Sequence, residues 1–253
     1  MARQDGVILL KGQLGGLSFY KTAKDGHLAR QKGGVDAKRI RTEAAFARTR
    51  ENGSEFGRAG QAGRLLRTAF RSLLLNSSDS RTVPRLTQKF TEVIHADTTS
   101  LRGARNVVDG DMSLLQGFEF NIDGKLRQTL LAQYSVEVNR ATGLVTINVP
   151  QFVPAELIAA PTGATNFRLV ASVSELDFAA DRYNSEVAES EENITGLEAP
   201  VTINMPLEVT VGSTSPLVVV LGIEFSQVVN GAMYSINDGS YNALAVVAVD
   251  SEG

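Results

Sequence analysis

The alternation of apolar and polar positions changes twice along the chain, and each change predicts a different kind of structure. In the first 34 residues, short apolar runs over residues 7–11 and 17–21 flank the glycine-rich stretch Gly12-Gln13-Leu14-Gly15-Gly16. Both runs read as strands. Lys24-Asp25-Gly26 then supplies a hairpin turn, because Asp-Gly tolerates the positive φ of a type I′ turn, and this places Phe19, Tyr20 and Leu28 on paired strands. Gly33-Gly34 ends this arm.

From Asp36 to about Ile94 the spacing becomes helical. Asn52-Gly53 reads as a helix C-cap, with Ser54 capping the next helix. Over residues 54–75, at about 100° per residue, Phe56, Ala59, Gly63, Leu66, Phe70, Leu73 and Leu74 share one arc, and Arg64, Arg67 and Arg71 run along its edge. One face is therefore core and its border is cationic. A further helix is predicted from Val83, Leu86, Phe90, Val93 and Ile94, with Ser80 or Thr82 as cap and Pro84 in the first turn. Residues 97–111 are polar and turn-rich, the expected hinge between two halves.

Beyond the hinge the pattern is that of strands. Phe118-Glu119-Phe120 precedes a turn at Asp123-Gly124, and Val136 and Val138 alternate with polar residues before a turn over residues 139–143. Further strands are expected over residues 144–149, 167–173, 201–211, 217–225, 233–236 and 243–249, with turns at Asn230-Gly231 and Asp238-Gly239. Many short strands with Gly, Pro and Asn between them, and no fixed repeat, indicate an antiparallel arrangement. The expected class is α+β: an N-terminal β-hairpin arm (residues 1–34), a basic helical region (35–105), and an acidic antiparallel β-sandwich, Ig-like or jelly-roll-like (106–253).

Composition sharpens this picture in two ways. The chain has no cysteine, which excludes disulfides, thiol nucleophiles and thiolate metal sites. Its longest apolar stretches are short of the roughly 20 residues a membrane-crossing helix needs, and the apolar run after Gly6 is too short for a secretory signal. The protein is expected to be cytoplasmic at synthesis, with export by a non-classical route or within a particle left open. Charge is more informative. Residues 1–105 hold 20 Lys+Arg against 9 Asp+Glu, while the remainder holds 5 against 19. Such opposed halves attract, within a chain or between chains, unless a polyanion claims the basic one.

Candidate chemistry is sparse. The two histidines, His27 and His95, lie in no catalytic or metal signature, and a helix C-terminus accounts for His95. Asp109-Gly110-Asp111 lacks the remaining ligands of a calcium loop and reads as a surface turn, and Glu186, Glu189, Glu191 and Glu192 read as a solvated acidic loop. No cofactor, metal or small-molecule substrate is implied. Gly57, Gly60 and Gly63 stand inside a helix, where each costs about 1 kcal/mol relative to alanine, so another backbone is expected to approach along that side. Arg48, Arg50, Arg58, Arg64, Arg67 and Arg71, with Lys38, Arg39 and Arg41 upstream, have two readings. They bind nucleic-acid phosphates, or they dock on the acidic half of the same or another copy.

Several segments carry a family resemblance. Residues 6–12 (GVILLKG), 17–21 (LSFYK), 28–30 (LAR) and above all 46–60 (FARTRENGSEFGRAG) resemble a family of Bacteroidota proteins of about this size, classed only as a domain of unknown function. Gly222-Ile223-Glu224-Phe225 and Tyr241-Asn242-Ala243-Leu244 are similar to it as well. The resemblance implies a bacterial source and brings no catalytic or binding residues. Together these readings predict a non-catalytic structural or self-assembling protein whose β-arm adds to a sheet in cis or in a neighbouring subunit. The alternative is a nucleic-acid-binding or packaging protein that uses the arginine-rich helices.

Overall fold

The computed structural model describes residues 2–22, 25–31, 33–236 and 239–251. The chain divides into two compact units, Met1–Arg50 and Glu51–Gly253.

The first unit is an antiparallel sheet followed by a short helix. Strands β1 (Ala2–Arg3), β2 (Gly12–Leu14), β3 (Leu17–Thr22) and β4 (Gly26–Gln31) lie in the order β1-β4-β3-β2. Phe19 faces Ala29 and Tyr20 faces Leu28 across the β3–β4 pair, as the hairpin reading requires. Lys24 of that turn lies outside the described residues, while Gly26 has the positive φ (72°) that favours glycine. The strand expected over residues 7–11 does not form. Those residues make a loop whose end is held by Gln4: the Leu10 N–H donates to Gln4 Oε1 at 2.9 Å, and Gln4 Nε2 donates to the carbonyls of Leu10 (3.3 Å) and Leu28 (3.1 Å). The edge of β3 is taken instead by β2, beyond the loop. Helix α1 (Ala37–Thr42) is capped by Asp36, which accepts from the Lys38 N–H at 2.6 Å. No described residue of this unit is buried.

The unit boundary falls within α2 (Ala47–Ala69). This helix runs straight through Asn52-Gly53, where a break was expected, because Glu55, Ala59, Ala62, Leu65 and Leu66 beyond it are all buried. Tertiary burial outweighs the local cost of one glycine. The helix also stops sooner than its apolar pattern suggests, turning at Phe70 into the short α3 (Arg71–Leu74). Helix α4 (Thr82–His95) follows with Arg81, not Ser80 or Thr82, at the cap position. The Thr82 hydroxyl instead donates to the carbonyls of Asp79 (2.9 Å) and Phe120 (2.5 Å).

Residues 97–111 form a loop within the second unit that is bonded to α2. Arg58 donates to the carbonyls of Arg105 (2.7 Å) and Gly103 (2.9 Å), and buried Glu55 accepts from the Gly103 N–H at 2.7 Å. Within the loop the Asp97 carboxylate gathers the N–H groups of Thr99, Ser100 and Asn106 at 2.8, 2.9 and 3.2 Å. These donors, Ser100 foremost, hold its pKa well below the usual aspartate value against the opposing effect of burial. A lowered folded-state pKa stabilises the fold above the ordinary value of about 3.9, and that stabilisation fades as pH falls below it. Asp97→Asn is therefore expected to lower the urea midpoint at neutral pH, with the gap from wild type narrowing on acidification; a gap that persists unchanged in acid would contradict this.

The rest of the second unit comprises α5 (Leu126–Thr129), β5 (Ser135–Asn139), β6 (Leu144–Phe152), α6 (Pro154–Leu157), β7 (Asn166–Asp177), β8 (Arg182–Glu189), β9 (Asn193–Ile194), β10 (Val201–Glu208), β11 (Leu217–Val229), β12 (Ala232–Ser235) and β13 (Ala243–Asp250). All pairings are antiparallel. They form a three-stranded sheet, β10-β6-β5, and a six-stranded sheet, β12-β11-β7-β8, in which β13 also pairs β11 and β9 also pairs β7. The α+β class is thus present. Residues 118–120 form no strand of their own but lie along β13, with Glu119 opposite Ala245, the Val246 N–H donating to the Phe118 carbonyl at 2.9 Å and the Phe120 N–H to the Leu244 carbonyl at 2.8 Å. Strands β8 and β9 were not legible. The segment read as an acidic loop is in part β8, which carries Glu186 and Glu189. Asp238 of the last expected turn lies outside the described residues.

Strand β11 explains why its sequence is apolar at nearly every position. Leu217, Val219, Leu221, Ile223 and Phe225 join one core cluster with Val145, Ile147 and Val149 of β6 and Ile203, Met205 and Leu207 of β10. The intervening Val218 and Val220 join a second cluster, with Leu66 and Phe70 after α2's core face and Leu86, Phe90 and Val93 of α4. A strand buried on both faces reads as a continuous apolar run. Burying each such side chain contributes on the order of 1.5–3 kcal/mol, so the central strands fix this unit.

Candidate interaction surfaces

The arginines singled out in the sequence do not form one surface. Arg50 donates through Nη1 to the carbonyls of Ile40 (2.7 Å) and Glu43 (2.9 Å), closing the C-terminal end of α1. Arg58 is spent on the loop over residues 97–111. Arg48 is exposed. Arg64 reaches Asp181, in the turn between β7 and β8, at 2.5 Å. Both side chains are more than half exposed, so the pair contributes little to stability, roughly 0–1 kcal/mol. Arg67 and Arg71 have no ion pair or hydrogen bond of the guanidinium among the described residues.

Arg64–Asp181 is a bond between the basic and acidic parts of the chain. Other described ion pairs stay within one part: Arg85–Asp79, Lys89–Glu92 and Arg102–Glu51 in the first, Arg140–Asp250, Arg168–Glu189 and Arg168–Glu224 in the second. Arg85 in particular is a structural residue. It pairs with Asp79, donates to the Glu119 carbonyl at 2.6 Å and lies over the Phe118 ring at 5.2 Å, tying α4 to residues 118–120. Nothing in the sequence separates such arginines from those exposed on a face.

The helical glycines divide in the same way. Beside Gly63, a Cβ would meet Phe90 and Leu86 at 3.6 and 3.7 Å, so α4 supplies the neighbour there. Gly57 and Gly60 have nothing within 4 Å, and the close backbone expected beside them is absent among the described residues. Phe56 corrects another expectation. It is 62% exposed rather than core, and with Val83, Pro84 and Thr87 it borders a shallow groove between α2 and α4.

Among the described residues the two histidines and the carboxylates singled out in the sequence lie apart. His27 sits on β4, and His95, in the last turn of α4, lies 3.3 Å from Glu55. Asp109 accepts from Asn106 Nδ2 at 2.6 Å and Asp111 caps the turn at Ser113, each serving its own loop. Burial pushes the Glu119 carboxyl and the Tyr134 hydroxyl up from their ordinary values, and the Glu119 charge adds to the shift at Tyr134. Among the described residues no three of His, Asp and Glu are grouped to hold a metal ion. No described helix is long and apolar enough to cross a membrane.

In two runs, exposed apolar side chains lie close together in sequence. One is the loop of the first unit, with Val7, Ile8, Leu9 and Leu10, continued by Leu14 and Leu17. Phe19 and Tyr20, on β3 beside it, are half-buried. The other is the projecting end of the β11–β12 hairpin in the second unit, with Val228, Val229, Met233 and Tyr234. Asn230 and Gly231, at φ of 52° and 79°, make its turn. The Asn-Gly signal was visible in the sequence, but not that both faces of the hairpin stand in solvent. No protein-family model, curated protein or solved structure matches this chain.

Proposed function

We propose that the protein is a non-catalytic structural protein that assembles with copies of itself, the first unit adding to a sheet of a neighbouring copy. The second unit, in this reading, is an antiparallel β-sandwich of the Ig-like or jelly-roll-like kind, consistent with side chains from its two sheets entering one cluster. One observation carries the proposal. The first unit buries none of its described residues, yet it holds a four-stranded sheet and a run of exposed aliphatic side chains. A sheet needs a covered apolar face to be stable in water, and a segment of this size cannot build a core without help. A neighbour supplies the cover.

Charge favours a second copy as that neighbour. The first unit holds 11 Lys+Arg against 4 Asp+Glu, and the second holds 14 against 24. Opposite potentials of this size steer encounter and fix register, and salt weakens them. Sedimentation velocity on the full chain is expected to show association that grows with concentration and recedes with added salt; a single 27.1 kDa species throughout would overturn the proposal.

Arg67 and Arg71, unpaired among the described residues, favour nucleic-acid binding as a second reading, together with the basic first unit. The same run with added single-stranded DNA separates the two. Co-sedimentation that salt abolishes supports phosphate binding, and its absence leaves self-assembly alone.

A further inference from the structure

We infer that residues 7–11 of one copy form a strand on the outer edge of β12 of a second copy. The inference rests on the self-assembly reading and names the two surfaces that meet.

The donor is a segment whose sequence and setting disagree. Val7-Ile8-Leu9-Leu10 has the composition of a strand, yet Val7, Ile8 and Leu9 have no backbone hydrogen-bond partner among the described residues. Val7 is fully exposed and Ile8 is 79% exposed. Such a segment lacks only an edge to pair with. Strand addition supplies one: main-chain bonds give affinity, and alternate side chains find apolar neighbours.

Among the free edges of the second unit, β12 suits this donor best. It pairs with β11 on one side, Val228 opposite Met233 and Gln227 opposite Tyr234, and ends the sheet on the other. Proteins blunt exposed edges with charges, proline or bulges. Ala232-Met233-Tyr234-Ser235 has none of these. β8 carries Arg182, Glu186 and Glu189, β5 carries Glu137, and β10 carries Pro206 and Glu208, while β13 has its outer side taken by residues 117–120 and β9 is two residues long. Exposed Met233 and Tyr234 offer apolar cover to the aliphatic donor, and their four-residue strand matches it in length.

A second copy is the occupant because the charges around donor and acceptor are complementary. Lys11 ends the donor in a unit with excess base, while Glu192, which accepts from Ser226 Oγ at 3.4 Å, borders the hairpin in a unit with excess acid. Donor and acceptor are different surfaces, so the contact either is exchanged reciprocally in a closed dimer or runs head-to-tail into a ring or a filament.

The chain has no cysteine of its own, which makes a clean test available. Ile8→Cys protein and Tyr234→Cys protein are mixed and treated with a short bis-maleimide, and association of a Met233→Lys/Tyr234→Lys variant is measured beside wild type. The inference expects cross-linked dimer in excess of either protein alone. It also expects the lysine variant to associate about tenfold or more weakly, the loss of a few main-chain bonds. If wild type associates but the mixture gives no excess and the lysine variant associates normally, the β12 edge is wrong while self-assembly stands. If wild type is monomeric, both fall.

Discussion

Gly222→Ala is expected to destabilise the second unit severely. Gly222 lies in the middle of β11, opposite Leu244 of β13 and Val170 of β7. A Cβ there would stand 2.5 Å from the Ala243 carbonyl oxygen, 2.9 Å from Leu244 Cδ1 and 3.1 Å from Val170 Cγ2. Side-chain rotation relieves the last two contacts but not the first, because a backbone carbonyl in a paired strand moves only with the strand. Overpacking of this kind costs about 1–3 kcal/mol, and a backbone clash belongs at the upper end or beyond. Against a total stability of roughly 5–15 kcal/mol, that is a large fraction. Urea denaturation should show a much lower midpoint with an unchanged slope. By contrast, Gly57→Ala, with open space beside it, should raise the midpoint, helix propensity stabilising the fold by up to about 1 kcal/mol. Equal midpoints for the two variants would show that the interior of the sheet is packed differently.

Val7→Asp/Leu9→Asp is expected to abolish self-association while leaving the fold unchanged. Val7 is fully exposed and Leu9 about half exposed, so little intrachain contact is lost. Surface changes of that kind alter stability by less than about 0.5 kcal/mol. Between copies the effect is large, because two carboxylates are forced into an apolar contact and cannot shed their water without cost. They also reduce the positive charge of the first unit. Val7→Lys/Leu9→Lys separates these causes: it removes the apolar surface while making the basic first unit more positive, and it too is expected to prevent association.

Much of the fold was legible because its signals are local or strongly periodic. Burial on both faces writes itself into β11 and β13 as apolar runs, the spacing of Leu86, Phe90, Val93 and Ile94 gives α4, and Asn-Gly and Asp-Gly give the hairpins. The misses share a physical cause. The continuity of α2 through Asn52-Gly53 depends on a core assembled from distant residues, and β8 is an exposed edge whose side chains carry no apolar alternation. The candidate surface was less legible than the fold. Arg50, Arg58 and Arg64 look equivalent in sequence, yet two serve carbonyls and one pairs with a carboxylate. Residues 7–11 read as a strand from composition alone, and they stay unpaired because Gln4 holds the loop's end and β2 takes the available edge.

The most direct test is the molar mass by light scattering of wild type and Val7→Asp/Leu9→Asp, side by side at low salt. A wild type at a multiple of 27.1 kDa and a variant at 27.1 kDa with an unchanged circular dichroism spectrum are the predicted results. Equal masses for the two proteins would contradict the claim that a neighbouring copy covers the exposed loop of the first unit.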